Sequence, residues 1–498
     1  MSKTKFPPVD WLWKSYAVNA AWYSGDPQRL KQQAAGAHPF WRSDENIKIH
    51  VPIAADLSAL SAGMIFATSP EIDCEDETTK ARIDEVFESA GVYAVLLQAA
   101  ELASAYGGVF LKWSWDEADG FPRLTAVPAD AGMPYWKGGK IAAIRLWTIV
   151  REEDGGRVYR LEEEYTPDGR IRSRLLMGDD GNLGTEVSLD SIDETRGILP
   201  EAYCGADAML ATYVPNMLPN RIAPHLRFGR SDYDGLHGLF DALDEAYSSI
   251  QRETRLTKTM VVVPLEYLKK KESIRHKFDS EAKEAEWVFP NAGGAFVALD
   301  IDTTENSSPI TVVNPELRCE SRIAGVDDIV RRILHMAGYA PQSAGLDIEG
   351  AAESGEALNV RERKTIRTSE VKKTYWWHAV VDMLRAMLKL DAAVFRSGVK
   401  PDAEFSVELP SSTQPDIARL AQIVEQLERA GAASLETKIS MLHPEWSDAQ
   451  IAEEIAKIRD ESGAQARLDM ERILGMGKMQ DDGGEPAENG GEPEGGDA

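Results

Sequence analysis

The sequence predicts an α+β fold, and three observations carry that expectation. Over the first 230 residues, short alternating apolar runs mix with stretches of helical spacing; further on, two amphipathic helices flank a small β-rich module; and the last folded part has helical spacing only. A chain of 498 residues is too long for one hydrophobic core, so several modules or one elongated subunit are expected.

At the start, Trp11, Trp13, Trp22 and Trp41 lie in a Pro- and Gly-punctuated stretch, readable either as an arm packing on another surface or as core aromatics. The alternation Ile47, Ile49, Val51 predicts a strand that gives way at Pro52 to a helix through Ala55, Leu57, Leu60 and Met64. Apolar positions at Ile83, Val86 and Phe87, then at Val95, Leu96, Ala99 and Leu102, predict two helices broken near Gly91. A strand, GVFLKWSW, follows. The segments IAAIRLWTIV, RVYRLEEEYT and RIRSRLLMG, separated by Asp-Gly and Gly-Gly turns, predict an antiparallel meander.

From Ser231 the spacing changes. Leu236, Leu239, Phe240, Leu243, Tyr247 and Ile250 fall on one stripe of a helix, with Asp241, Asp244 and Glu245 off it. The β-rich runs MVVVPLEYL, EWVFP, AFVALD and PITVV come next, and helical spacing resumes at Ile323, Val326, Ile329, Ile333 and Leu334. The text YAPQSAGLDIEGAAESG then has no periodicity and reads as a loop longer than usual connections. A long helix follows, EALNVRERKTIRTSEVKKTYWWHAVVDMLRAMLKL, basic in its first half and apolar in its second, and then a strand, EFSVELP. PDIARLAQIVEQLERAG predicts a helix ending at Gly431, and Ser447 with Gln450 forms a capping box for the helix of IAEEIAKIRDES. From Gly475 onward no basic residue follows Lys478 and apolar side chains are too few to fold, so this tail is expected to be disordered.

The formal charge of −27 argues against simple DNA binding, which usually needs a basic surface, although an acidic protein can enclose DNA without gripping it. Cys74, Cys204 and Cys319 are far apart and odd in number, so neither a disulfide framework nor a zinc site is suggested and a reducing compartment fits. No run reaches the ~18–20 apolar residues of a membrane span, so a soluble, unprocessed protein is expected.

Motifs for chemistry are missing. There is no G-x-x-x-x-G-K-[ST] phosphate loop, and the nearest text, GMGK ending at Lys478, lacks the hydroxyl residue. Gly229-Arg230-Ser231 does not complete a nucleophile elbow, so Ser231 reads as a turn or helix cap. The histidines show no paired metal spacing, and His335 and His378 read as ordinary helix residues. Asp300, Asp302 and Glu305 lack the ligand ladder of a calcium loop and read as solvated. The basic run Arg361, Arg363, Lys364, Arg367, Lys372 and Lys373 reads first as a solvated face and second as a phosphate-facing surface. No cofactor is expected.

Four features taken together resemble the portal family of tailed phages: DALDEAYSSIQRETR before a β insert, RRILHMAGYAP ending the second helix, SGEALNVRERK after a Gly-rich loop, and the ELP strand leading into acidic helices with IAEEIAKIRDE. The resemblance covers about half the chain, by matching that works on element order. It implies a wing over residues 1–235, stem helices over 236–258 and 315–338, a clip over 259–314, a tunnel loop over 339–355, a further wing helix and strand over 356–412, a helical crown over 413–474 and a tail over 475–498. The implied role is a ring, dodecameric in the family, at one capsid vertex of the virion, assembled in the host cytoplasm, with no enzymatic activity. Its implied partners are further copies of the chain, the terminase large subunit, a head-completion or adaptor protein, the major capsid and scaffold proteins, and double-stranded DNA passing through; no membrane is involved. The loop from Tyr339 to Ser354 is expected to project toward the channel, with Gly345, Gly350, Ala351, Glu353, Arg361, Arg363 and Lys364 as candidates to face DNA. The rival readings are another virion structural or adaptor protein, which the element order disfavours, and an α+β hydrolase or nuclease, for which no constellation is found.

Overall fold

The computed structural model describes residues 9–33, 39–42, 48–116, 118–179, 181–256, 260–264, 269–270, 287–288, 296–299, 311–313, 319–346, 355–410, 417–443, 446 and 450–459. They fall in two compact units, residues 1–412 and 413–498.

The first unit begins with helices α1 (Asp10–Ser24), α2 (Pro27–Gln33), α3 (Pro39–Arg42) and α4 (Ile53–Ile65). Trp22 and Trp41 are buried in one hydrophobic cluster, and Trp11 and Trp13 pack half-buried against another, so the tryptophans are core aromatics and not a free arm. The expected strand through Ile49 and Val51 is not formed over residues 48–52. The amide of Ile49 donates to Ser248 Oγ (2.8 Å) and that of Val51 to Asp244 Oδ1 (2.8 Å), so side chains of a helix satisfy the backbone that a neighbouring strand would otherwise pair.

Strand β1 (Glu71–Cys74) leads to α5 (Glu77–Ser89) and α6 (Val92–Tyr106). The Asp76 carboxylate caps α5 by accepting from the Thr79 amide at 3.0 Å. Gly91, at φ 60°, makes the break between the two helices that its position predicts. Gly107 (φ 86°) ends α6, and a Cβ there would lie 2.8 Å from the Ser231 amide nitrogen, so only glycine allows the chain to turn so close to the later segment.

Strands β2 (Gly108–Ser114) and β3 (Arg123–Pro128) form a hairpin whose other edge is β10 (Ala211–Pro215). Between them β4 (Gly132–Lys137), β5 (Lys140–Glu153), β6 (Arg157–Tyr165), β7 (Arg170–Asp179) and β8 (Asn182–Val187) make the expected antiparallel meander in sequence order, with β9 (Glu201–Tyr203) also on β7. Charges cross this sheet as pairs: Glu162, 2% exposed, is held by Arg174 at 2.5 Å, and Arg145 also approaches it.

The predicted helix after Ser231 is α7 (His237–Leu256), and the β module follows as β11 (Met260–Pro264), β12 (Lys269–Lys270), β13 (Trp287–Val288), β14 (Phe296–Leu299) and β15 (Thr311–Val313). Here β11 pairs with β14 in parallel and with β15 antiparallel. Then come α8 (Cys319–Ala337), α9 (Gly355–Leu390) and β16 (Phe405–Glu408), the last paired with β1. The apolar half of α9, with Trp376, Val380, Met383 and Met387, is buried against the wall made by β2, β10 and α4. Arg82 of α5 closes its far end with two hydrogen bonds to the fully buried carboxylate of Asp391 (2.9 and 3.2 Å).

The second unit contains α10 (Ile417–Ala430), α11 (Leu435–Leu442) and helical backbone over residues 450–459. Gly431 ends α10 at φ 59°, as its position predicts. Ser447 of the expected capping box, the expected tail from Gly475, and Asp300, Asp302 and Glu305 lie outside the described residues.

Candidate functional site

The described part of the chain between α8 and α9 is anchored at its base by a buried polar cluster. On α9, the positions Thr365, Ser369, Lys372, Trp376 and Val380 recur at helical spacing and are all buried, so Lys372 sits on the core face. Its ammonium donates to Asp232 Oδ2 (2.5 Å), Ser61 Oγ (2.7 Å) and the Tyr339 hydroxyl (2.9 Å), which satisfies its three protons. Asp232 also accepts from Ser104 Oγ (2.7 Å) and Asn216 Nδ2 (2.9 Å). Five segments therefore meet around the Lys372–Asp232 pair: α4, α6, the chain after β10, the chain after α8, and α9.

Burial alone pushes the Asp232 carboxyl up, but the charge of Lys372 and the hydrogen bonds from Lys372, Ser104 and Asn216 outweigh it and hold the group below the usual carboxylate range. The same burial pushes the Lys372 ammonium down, against the pull of Asp232. Ser231, next in sequence, is a turn residue as expected: its hydroxyl donates to the Ala105 carbonyl (2.6 Å) and accepts from the Tyr233 amide (3.0 Å).

Tyr339 and Ala340 thus belong to the core and not to a projecting loop, since their side chains are 1% and 4% exposed. The Ala340 amide donates to Thr365 Oγ1 (2.8 Å), and Thr368 Oγ1 donates to the Gly338 carbonyl (2.8 Å). A single 3-10 turn, Pro341–Ala344, follows and ends at Gly345 with φ 74°. Of the candidates to face DNA, Gly345 is exposed in this turn; Gly350, Ala351 and Glu353 lie outside the described residues; Arg361 is in α9 by its backbone; Arg363 is exposed. Lys364 is exposed too, and its ammonium donates to the His335 carbonyl at the end of α8.

The basic run on α9 is therefore not one surface. Lys372 and Lys373 turn inward, the latter donating to the Pro410 carbonyl at 2.7 Å, because their positions fall on or beside the buried stripe. The sequence reading missed Lys372, Asp232 and Tyr339 as a group, although the spacing of Lys372 from Trp376 and Val380 carried the signal.

A second buried carboxylate set lies on α7. Asp241 and Asp244, read as off the apolar stripe, are 3% and 0% exposed. Asp244 accepts from Trp41 Nε1 (3.0 Å) and the Val51 amide and meets His50 Nδ1 (2.9 Å), while Asp241 accepts from the Phe40 amide (3.1 Å). Conversely Tyr247, read on the apolar stripe, and Ile323, where helical spacing resumes, are 42% and 51% exposed. Among the described residues no group of three His, Cys, Asp or Glu side chains could hold a metal ion, and no single helix is long and apolar enough to cross a membrane.

Comparison with known proteins gives a family match and several structural likenesses. A search of curated proteins finds no match. Similar solved structures include the neck of a native GTA particle computed with C12 symmetry (12% identity, 87% of this chain and 93% of that chain, TM-score 0.38). Others are the virion of a native gene transfer agent particle (10%, 88% and 95%, 0.39) and the neck of an empty GTA particle computed with C6 symmetry (13%, 78% and 90%, 0.37). The family assignment rests on sequence: the description "Phage portal protein, SPP1 Gp6-like" matches residues 22–467. That span runs from α1 past α11 and takes in every element the resemblance used, so the chain belongs to the SPP1 Gp6-like family of phage portal proteins.

Proposed function

We propose that this chain is the subunit of a closed ring at one vertex of a capsid, with DNA passing along the ring axis during packaging and ejection. A subunit that surrounds an axis closes by repeating one heterologous contact, and the family resemblance implies twelve copies. In this reading residues 1–235 and 356–412 form the wing, α7 and α8 belong to the stem, the module of β11 to β15 is the clip that docks terminase and head-completion proteins, and residues 413–474 form the crown. Capsid and scaffold proteins contact the assembled ring, which forms in the host cytoplasm and becomes part of the virion. The role is structural and no catalytic step belongs to the chain.

The observation that carries this reading is the fixed base of the connection between α8 and α9. Gly338 and Ala340 are bonded to α9 and Tyr339 to Asp232, so the chain that leaves α8 is fixed at its start, and in this reading the connection continues from there toward the axis without loosening the fold. The test is the variant Gly350→Trp. Native mass spectrometry is expected to show closed rings for both proteins, with DNA packaging lost only in the variant. Normal packaging by variant rings would refute the placement of this loop in the channel, and a wild-type chain that stays monomeric or dimeric across concentrations and salts would overturn the ring itself.

A further inference from the structure

We infer that the acidic tip of the β5–β6 hairpin of one copy docks in a basic cleft at the base of β5 on the next copy, so that one strand carries both halves of a head-to-tail contact. The inference rests on the portal reading and adds to it the two surfaces that meet. β5 has opposite charge at its two ends. At its start, Lys137, Gly138, Gly139 and Lys140 form the turn from β4; at its end, Glu152, Glu153 and Asp154 lead through Gly155 and Gly156 into β6. At the rise of an extended strand the ends lie roughly 45 Å apart, and pairing with β4 and β6 keeps the strand extended, so the tip does not reach the base within one chain.

The base is built into a cleft of about 650 Å³. Residues 131–151 and 208–231 each contain no acidic residue, and Arg227 joins the two segments by donating to the Gly139 carbonyl at 2.7 Å. The apolar half of α9 supplies a further wall, from which Arg385 and Lys389 face the cleft. Four cations, Lys140, Arg227, Arg385 and Lys389, thus line it against two carboxylates, Asp207 and Asp382. Arg227 and Lys389 bond backbone carbonyls, which leaves their charge unneutralised; Arg385 stands 3.7 Å from Asp382. The rest of the lining is largely apolar and includes Trp136, Met209 and Met383.

The hairpin tip complements this lining. Glu152 and Asp154 are exposed and join no ion pair among the described residues, while Glu153 is held by Arg157 at 3.2 Å. Asp179 adds a carboxylate at the same end of the sheet, because its neighbour Gly178 stands opposite Val158. Ile149, three residues before Glu152, is 51% exposed and offers the cleft an apolar side chain. A ring closes by repeating one heterologous contact, which requires two different and complementary surfaces on every copy. In a chain of net charge −27 most faces of two copies repel, so a cleft with excess positive charge selects where the acidic end of a neighbour is drawn in.

The test uses the full-length protein, with native mass spectrometry at one fixed protein concentration. The variants E152K/D154K and K140E/R385E are each expected to keep the wild-type circular dichroism spectrum and to form at least about tenfold less ring, since each sets like charges against each other. Mixing the two variants one to one is expected to restore rings in which they alternate, and a chain carrying all four substitutions should form rings alone. Two chains that had merely lost their fold would not rescue one another. Single-face variants that assemble like wild type, or a loss of rings that neither the mixture nor the fourfold variant repairs, would overturn the contact while leaving the portal reading intact. Rings of K140E/R385E that assemble normally but no longer hold a short DNA duplex held by wild-type rings would assign the cleft to nucleic acid and overturn the contact as well. A wild-type chain that forms no rings would instead remove the portal reading on which the contact rests.

Discussion

Lys372 stands in a run that reads as a positive surface, yet its side chain is 1% exposed and spends all three protons on Asp232, Ser61 and Tyr339. A buried pair of this kind is costly to create and costlier to break, because removing one partner leaves the other charged and desolvated. Lys372→Met is therefore expected to destabilise the protein by about 3–5 kcal/mol, the cost typical of breaking a buried pair. Asp232→Asn combined with Lys372→Met should recover a large part of that loss. Denaturant titration at one fixed protein concentration checks both, since oligomers change apparent stability with concentration. A single variant as stable as wild type would show that the cluster contributes nothing to the fold.

At the scale of elements, α7 is a two-sided helix. One face, with Phe240 and Leu243, packs on Trp22, Leu57 and Leu334; a second, with Asp241, Asp244 and Ser248 at spacings of three and four, accepts from the backbone amides of Phe40, Ile49 and Val51. The second face replaces a strand partner, which is why Ile49 and Val51 alternate like a strand without forming one. Asp244→Ala would strand the Val51 amide and Trp41 Nε1 in a buried site, at about 1–3 kcal/mol for each donor left without an acceptor. Hydrogen exchange should then show faster opening of residues 48–52 than of α6 or β2. Uniform exchange across the chain would mean that the segment is held by its apolar contacts and not by the carboxylate.

For the whole molecule, charge and assembly are separable. Seven acidic residues and no basic one follow Met479, so the tail adds to the net charge of −27 while offering almost no apolar area to a contact. Truncation from Gly477 is expected to leave the oligomer unchanged in size-exclusion chromatography and native mass spectrometry. A shift to smaller species would assign the tail a structural part in the ring. The family match, which stops at residue 467, agrees with leaving the tail out of the shared architecture.

By itself the sequence determined the order and type of the elements: the helices broken at Gly91, the meander of β5 to β7, the β module between α7 and α8, and the stop of α10 at Gly431. These are local matters, set by hydrophobic period and by glycines that accept a left-handed backbone. The tertiary structure alone decided which charges are surface and which are framework. Asp232, Asp241, Asp244 and Lys372 look solvated in sequence because nothing local distinguishes a carboxylate in water from one that accepts three hydrogen bonds. Their partners, from Phe40 to Tyr339, lie far away along the chain, and only folding brings them within reach.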